Sequence, residues 1–254
     1  MIRAGGVTAF IRFYEELNLF LAKELRKKEV PCSFAPGTTV KKMIEDLGVP
    51  HTEVDLILVG GRSVPFEHRL RVGERISVYP VFESFDISAV SRVRPKPLRQ
   101  TRFILDVHLG KLAHMLRIMG FDAAYSNSAD DADIVAAALA EKRIILSRDR
   151  GLLKRKAVTH GCYVRSKAPV QQVREVVERF HLQKSIDPFS RCPECNAPLV
   201  QADREAVDAQ VPRRVRQATG SFSQCPVCGK VYWRGSHWRD MAERLNRVLG
   251  FPVG

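Results

Sequence analysis

Two cysteine pairs constrain this chain more than any other feature: Cys-Pro-Glu-Cys at 192–195 and Cys-Pro-Val-Cys at 225–228, with 29 residues between them. Two thiolates three positions apart grip one tetrahedral ion, and a second such pair closes a four-thiolate site. Cys192, Cys195, Cys225 and Cys228 are therefore the candidate ligands of a structural Zn²⁺. A segment this small buries little apolar surface, so the ion supplies a large part of its folding free energy. Disulfides fit less well, because no secretion signal is legible. Neither pair has the βαβ context of a thiol oxidoreductase. Cys32 and Cys162 fall in expected strands and read as buried small residues.

Upstream of the cysteines, residues 102–181 alternate between short apolar runs and amphipathic stretches. Strands are expected at 102–106, 122–126, 143–149 and 161–166, and helices at 107–120, 131–141 and 169–181. Such alternation implies parallel βαβ units and an open sheet with helices on both faces. The first ninety residues follow another order. Strands are expected at 8–14, 30–35, 54–59 and 75–81 around one helix at 38–48, capped by Thr38 or Thr39 and stopped by Gly48. Gly60-Gly61 marks a tight hairpin turn. The order strand-strand-helix-strand-strand suggests a β-grasp domain. A stretch at 90–99 with two prolines and several bases reads as the linker. The expected domains are thus 1–90, 100–185 and 186–254.

Charge is unevenly spread over these sections. Residues 1–90 hold 12 Lys/Arg against 12 Asp/Glu, residues 91–190 hold 19 against 10, and residues 191–254 hold 10 against 6. The whole basic excess follows residue 90, which points to a polyanion-binding surface on the middle and last domains. No run of eighteen apolar residues is present, so no membrane span is expected and a cytoplasmic protein is.

Within the basic middle section, acids gather where a parallel sheet places its ligands. Asp106 and Asp149 each end an expected strand, and Asp131 and Asp133 open the helix between them. Carboxylates drawn together raise one another's pKa unless a cation neutralises them, and oxygen-only ligands favour Mg²⁺ or Mn²⁺. Such a site activates water for attack on a phosphodiester. The plainer alternatives are capping for Asp130, Asp131 and Asp133, and a turn role for Asp149.

At these residues the chain resembles known families. Residues 103–122, 130–138 and 144–153 look like the PIN-like ribonuclease family of Mut7-C type, named for the C-terminal domain of a nematode exonuclease. The first eighty residues resemble the ThiS/MoaD-like, ubiquitin-like domains, including the run Leu-Arg-Val-Gly-Glu-Arg-Ile before the last strand. Those sulfur carriers act through a free terminal Gly-Gly, whereas Gly60-Gly61 is internal, so this domain reads as a docking or orienting module for a protein partner. The first resemblance implies a metal-dependent nuclease with Asp106, Asp131 and Asp149 as its acids, Asp133 as a fourth choice, and RNA as substrate, for example tRNA, rRNA or another structured RNA. Lys111, Arg117, Arg148 and Arg150 fall in the matched motifs and look like phosphate contacts, with a packing or ion-pair role open for Arg117. Tyr232, Trp233 and Trp238 either pack around the zinc core or stack on exposed bases, and His237 is an RNA contact or a weaker ligand candidate. A non-catalytic RNA-binding adaptor is the competing reading, and a sulfur-relay partner is a more distant one.

Overall fold

The fold is described from a computed structural model, which describes residues 7–81, 87, 89–93, 98, 100–207, 210–218 and 221–253. Half of the expected linker, 94–97 and 99, lies outside them. In chain order the elements are β1 (Val7–Phe13), β2 (Glu29–Phe34), α1 (Val40–Asp46), β3 (Val54–Val59), β4 (Arg62–Ser63), β5 (Arg75–Pro80), β6 (Phe103–Leu105), α2 (Gly110–Ile118), β7 (Ala123–Tyr125), α3 (Asp131–Glu141) and β8 (Ile144–Ser147). They continue with α4 (Arg150–Lys154), β9 (Gly161–Tyr163), α5 (Pro169–Arg179), β10 (Val200–Ala202), α6 (Arg204–Val207), α7 (Arg213–Ala218), β11 (Phe222–Gln224), β12 (Val231–Tyr232) and α8 (Ser236–Leu249). None of these helices is long and apolar enough to cross a membrane.

Two compact units emerge, Met1–Leu98 with Asp149–Tyr163, and Arg99–Arg148 with Val164–Gly254. In the first, a sheet of order β2-β1-β5-β3-β4 pairs β1 parallel with β5 and antiparallel with β2, the arrangement of a β-grasp. Alternation decides which face is covered: Ala9, Ile11 and Phe13 point into the core, where Val40, Met43 and Ile44 of α1 meet them. Thr39 caps α1 by accepting from Lys42 N, and Gly48, at φ +103°, follows its end. The Gly60-Gly61 turn joins β3 to β4, both glycines at positive φ.

The segment Asp149–Tyr163 joins this unit through polar clamps. Tyr163 N donates to Glu53 Oε1 at 2.7 Å, Lys154 Nζ donates to Glu45 O at 2.5 Å, and His51 bridges Glu45 Oε1 and Val158 O at 2.7 and 2.8 Å. Arg150 donates to Phe20 O at 3.0 Å and lies over the rings of Phe20 and Tyr163.

In the second unit, β7, β6 and β8 run parallel, with Phe103 opposite both Ala123 and Ile144. All three residues of β6 and all four of β8 are buried, as expected of a sheet covered on both faces. α3 lies against β6 and β8, while α2 and α8 both lie against α5. Asp130 caps α3 in a capping box with Asp133, and Pro169 opens α5 at a position where no amide hydrogen is needed. The ribbon sheet, order β10-β11-β12, completes the unit.

Glu53 is fully buried, so its truncation leaves the Tyr163 amide without this acceptor. Glu53→Ala is expected to cost about 2–3 kcal/mol, the range for a buried hydrogen bond to a charged group. On a unit of this size that lowers the midpoint by roughly 10 °C in calorimetry. Glu53→Gln, which keeps a carbonyl oxygen, should lose less; an unchanged midpoint in Glu53→Ala would show that the clamp adds nothing.

Candidate functional site

The register of the parallel sheet determines what Asp106 meets. Leu105 stands opposite Leu146, so the next residues, Asp106 and Ser147, are neighbours at the carboxyl ends of their strands. Asp106 is 4% exposed. Its Oδ2 accepts from the Ser147 hydroxyl in a short contact and from Arg148 N at 2.9 Å. Its Oδ1 accepts from His108 N at 2.8 Å, capping the turn that leads into α2. The His108 ring stands 3.5 Å away, and no Arg or Lys among the described residues pairs with this carboxylate. Gly110 begins α2 under Tyr125, where a Cβ would come within 2.8 Å of the phenol oxygen.

At the start of α3 the acids divide their work. Asp130 accepts from Ala132 N and Asp133 N at 2.7 and 2.9 Å, and Asp133 Oδ2 accepts from Asp130 N at 3.3 Å. The capping alternative therefore describes Asp133, whose carboxylate turns back to the helix end. Asp131 is half-buried in the first turn. Asp106, Asp131 and Asp133 do not close to within 4.8 Å of one another as a set. Asp149, in the other unit, is exposed, caps α4 and accepts from Gly151 N at 2.6 Å.

The four residues expected to contact phosphate have different surroundings. Arg148 Nη1 donates to the carbonyls of Val164, Arg165 and Ser166, tying down the chain after β9. Arg150 is engaged with Phe20 and Tyr163 in its own unit. Arg117 is 6% exposed and donates to the carbonyls of Ala123, Pro193 and Glu194 at 2.8, 3.1 and 2.6 Å, so packing describes it. Lys111 alone of the four is exposed without such a tie.

Those Arg117 bonds anchor the first cysteine knuckle, and a second anchor supports them. Asn196 donates to Asp122 Oδ1 at 2.7 Å and accepts from Ala123 N at 3.0 Å. Asp122 also pairs with Arg143 at 2.6 Å and with Arg191 at 3.4 Å. Burial pushes the Asp122 carboxyl up, but hydrogen bonds from Arg143 and Asn196 outweigh it and hold it below the usual range. Gly120, at φ +93°, lets the chain pass: a Cβ there would stand 2.2 Å from Asp187 O. Sequence reasoning misses Asp122 and Asn196, although Asp122 lies inside the motif that carries the resemblance.

Among the described residues, Cys192, Cys195, Cys225 and Cys228 form a group whose ligand atoms all lie within 4.8 Å of one another. The sulfurs of Cys192 and Cys228 are 3.6 Å apart and those of Cys195 and Cys225 3.4 Å, close to the roughly 3.8 Å edge of a tetrahedron with Zn–S bonds of about 2.3 Å. Burial pushes the Cys225 thiol up, but the amides of Cys228 and Val227 and the neighbouring thiols outweigh it and hold it at about 6. Tyr232 places its hydroxyl 3.1 Å from Cys192 Sγ. The donor set thus fits a closed structural zinc site. Trp238 packs edge-on against Phe189 and Trp233 against Phe222, at centroid distances of 4.9 and 6.4 Å.

Comparison with known proteins bears on both units. Residues 101–245 match the family model described as Mut7-C RNAse domain, and residues 6–86 match the one described as Mut7-C ubiquitin. No match was found among curated proteins or among solved structures.

The cysteine geometry leads to a stoichiometry. Purified protein is expected to carry about one zinc per chain by elemental analysis, and Cys225→Ser to lose most of it together with the ribbon's resistance to proteolysis. Zinc retained at wild-type level by the variant would remove Cys225 from the site.

Proposed function

The chain belongs to the Mut7-C RNAse domain family, whose model covers more than half of it, and from that premise we propose a metal-dependent ribonuclease that hydrolyses RNA phosphodiester bonds. The observation that carries the reading is the Asp106 carboxylate, buried at the end of β6 and met, among the described residues, by uncharged donors and a nearby imidazole. Hydrogen bonds satisfy its oxygens, and no Arg or Lys among the described residues pairs with it. A hard divalent cation is the partner that such oxygens suit.

In this proposal Asp106, Asp131 and Asp149 hold Mg²⁺ or Mn²⁺, with Asp149 carried over from the Ser-Arg-Asp-Arg-Gly motif. A bound ion would lower the pKa of a water and stabilise charge on the leaving oxygen. Ser147 and the Arg148 amide orient the Asp106 carboxylate, and the His108 ring stands 3.5 Å from it. Lys111, exposed on the first turn of α2, meets the RNA backbone. The β-grasp domain is assigned to a protein partner, and 1–90, 100–185 and 186–254 are retained as the functional segments.

A second reading, an RNA-binding adaptor without catalysis, draws on the failure of Asp106, Asp131 and Asp133 to close as a set. One assay separates the two. With Mn²⁺ or Mg²⁺ the protein should cleave labelled RNA, and Asp106→Asn, Asp131→Asn and Asp149→Asn should each reduce the rate by roughly 100-fold or more, because metal contacts supply several kcal/mol to the transition state. RNA that is bound yet stays intact with every divalent ion supports the adaptor instead.

A further inference from the structure

A cavity of about 790 Å³ opens in the second unit where α2, the first knuckle and the start of α8 meet. α2 contributes His114 and Ile118, the ribbon Tyr232 and Trp233, and α8 Trp238. The chain has two tryptophans, and both line this cavity. Each ring meets another aromatic edge-on, Trp233 against Phe222 and Trp238 against Phe189, which also lines the cavity. Exposed Arg214, Arg234 and Arg239 also line it, with the Arg234 guanidinium over the Phe189 ring at 5.4 Å. Glu194, the acid among the described lining residues, pairs with Lys230 at 3.3 Å.

We propose that this cavity receives unpaired nucleotides of single-stranded RNA, with bases against the aromatic wall and phosphates against the arginines. The choice of RNA rests on the ribonuclease reading; the single-stranded requirement comes from the cavity. Its volume falls within the roughly 300–1,000 Å³ of small-ligand sites, enough for separate bases and too small for a duplex. Aromatic rings accept any splayed base, whereas bases inside an A-form helix are already stacked and out of reach. An acidic peptide would satisfy the arginines and leave the aromatic wall unused.

The cavity is also aligned with the proposed chemistry. α2 follows directly from the turn capped by Asp106 and rises about 1.5 Å per residue, so His114 stands on the order of 12 Å along it from that carboxylate. Lys111 and His114, both exposed and three residues apart, share one face of this helix. A strand lodged in the cavity carries its next phosphates along that face toward Asp106.

The two tryptophans report directly on occupancy. Zinc-loaded full-length protein, without added Mg²⁺ or Mn²⁺, is titrated with hexauridylate while tryptophan emission is followed. Saturable quenching that weakens with salt is expected, and the double variant Arg214→Glu/Arg239→Glu should need about tenfold or more RNA for half-saturation. Because both arginines are exposed, the variant should keep wild-type zinc content and thermal midpoint, which are measured alongside. No quenching by hexauridylate, equal quenching by an RNA duplex or by hexaglutamate, or an unaffected double variant would each overturn the proposal. Cleavage of a long RNA is assayed in parallel with Mn²⁺. Cleavage without quenching sinks the cavity and spares the ribonuclease reading; quenching without cleavage supports the cavity and sinks the ribonuclease reading.

Discussion

A negative charge buried at a strand end governs the second unit. The β6–β8 register seats Asp106 beside the Ser147 hydroxyl and the Arg148 amide, and the turn into α2 adds a third donor from His108. These groups fix the carboxylate's direction without cancelling its charge. Every residue of β6 is buried, and a slip of one position would turn each side chain to the opposite face and Asp106 away from its donors. Packing of the short strand and placement of the acid are therefore one constraint.

The arginines show how a basic composition can mislead. An excess of nine positive charges in residues 91–190 reads as a polyanion surface, yet several of the guanidiniums inside it serve the fold. Arg117 and Arg148 donate to three carbonyls each, and Arg143 is bound to Asp122, Glu141 and Phe103 O. A guanidinium offers five donors in a plane, so it can collect the carbonyls of irregular turns that no amide reaches. Exposed positive charge lies elsewhere as well, on Lys111, Arg214, Arg234 and Arg239 among others.

Local signals were legible where one residue type had one physical use. α3 is legible at both ends because the Asp130 cap and the apolar period agree, and β3 because its apolar run ends at two glycines. The cysteine quartet is legible from spacing alone. What the chain hides is choice among equivalent groups and pairing at a distance. Three aspartates open α3, and only the box geometry shows that Asp130 and Asp133 cap one another. The short helix α4 was hidden behind what read as a turn, and α8 was missed although Trp238, Ala242 and Leu245 keep a helical period. Asp149–Tyr163 follows the matched motif in sequence but groups with the β-grasp unit, because Glu45 and Glu53 supply acceptors, and His51 a donor, that no local pattern announces.

The knuckle joins these threads. The turn that presents the Cys192 and Cys195 sulfurs also presents the Pro193 and Glu194 carbonyls to Arg117 and the Asn196 amide to Asp122. A four-residue loop cannot hold that shape by burial, since Cys192 is its one buried side chain. An ion that closes the thiolate cage would fix the loop, and with it the carbonyls that receive Arg117 and the wall formed by Pro193 and Glu194. Zinc bound there would act at a distance from any chemistry: it would set the loop, and through the Arg117 and Asp122 bonds the loop would seat the ribbon beside α2, the helix that follows the turn capped by Asp106.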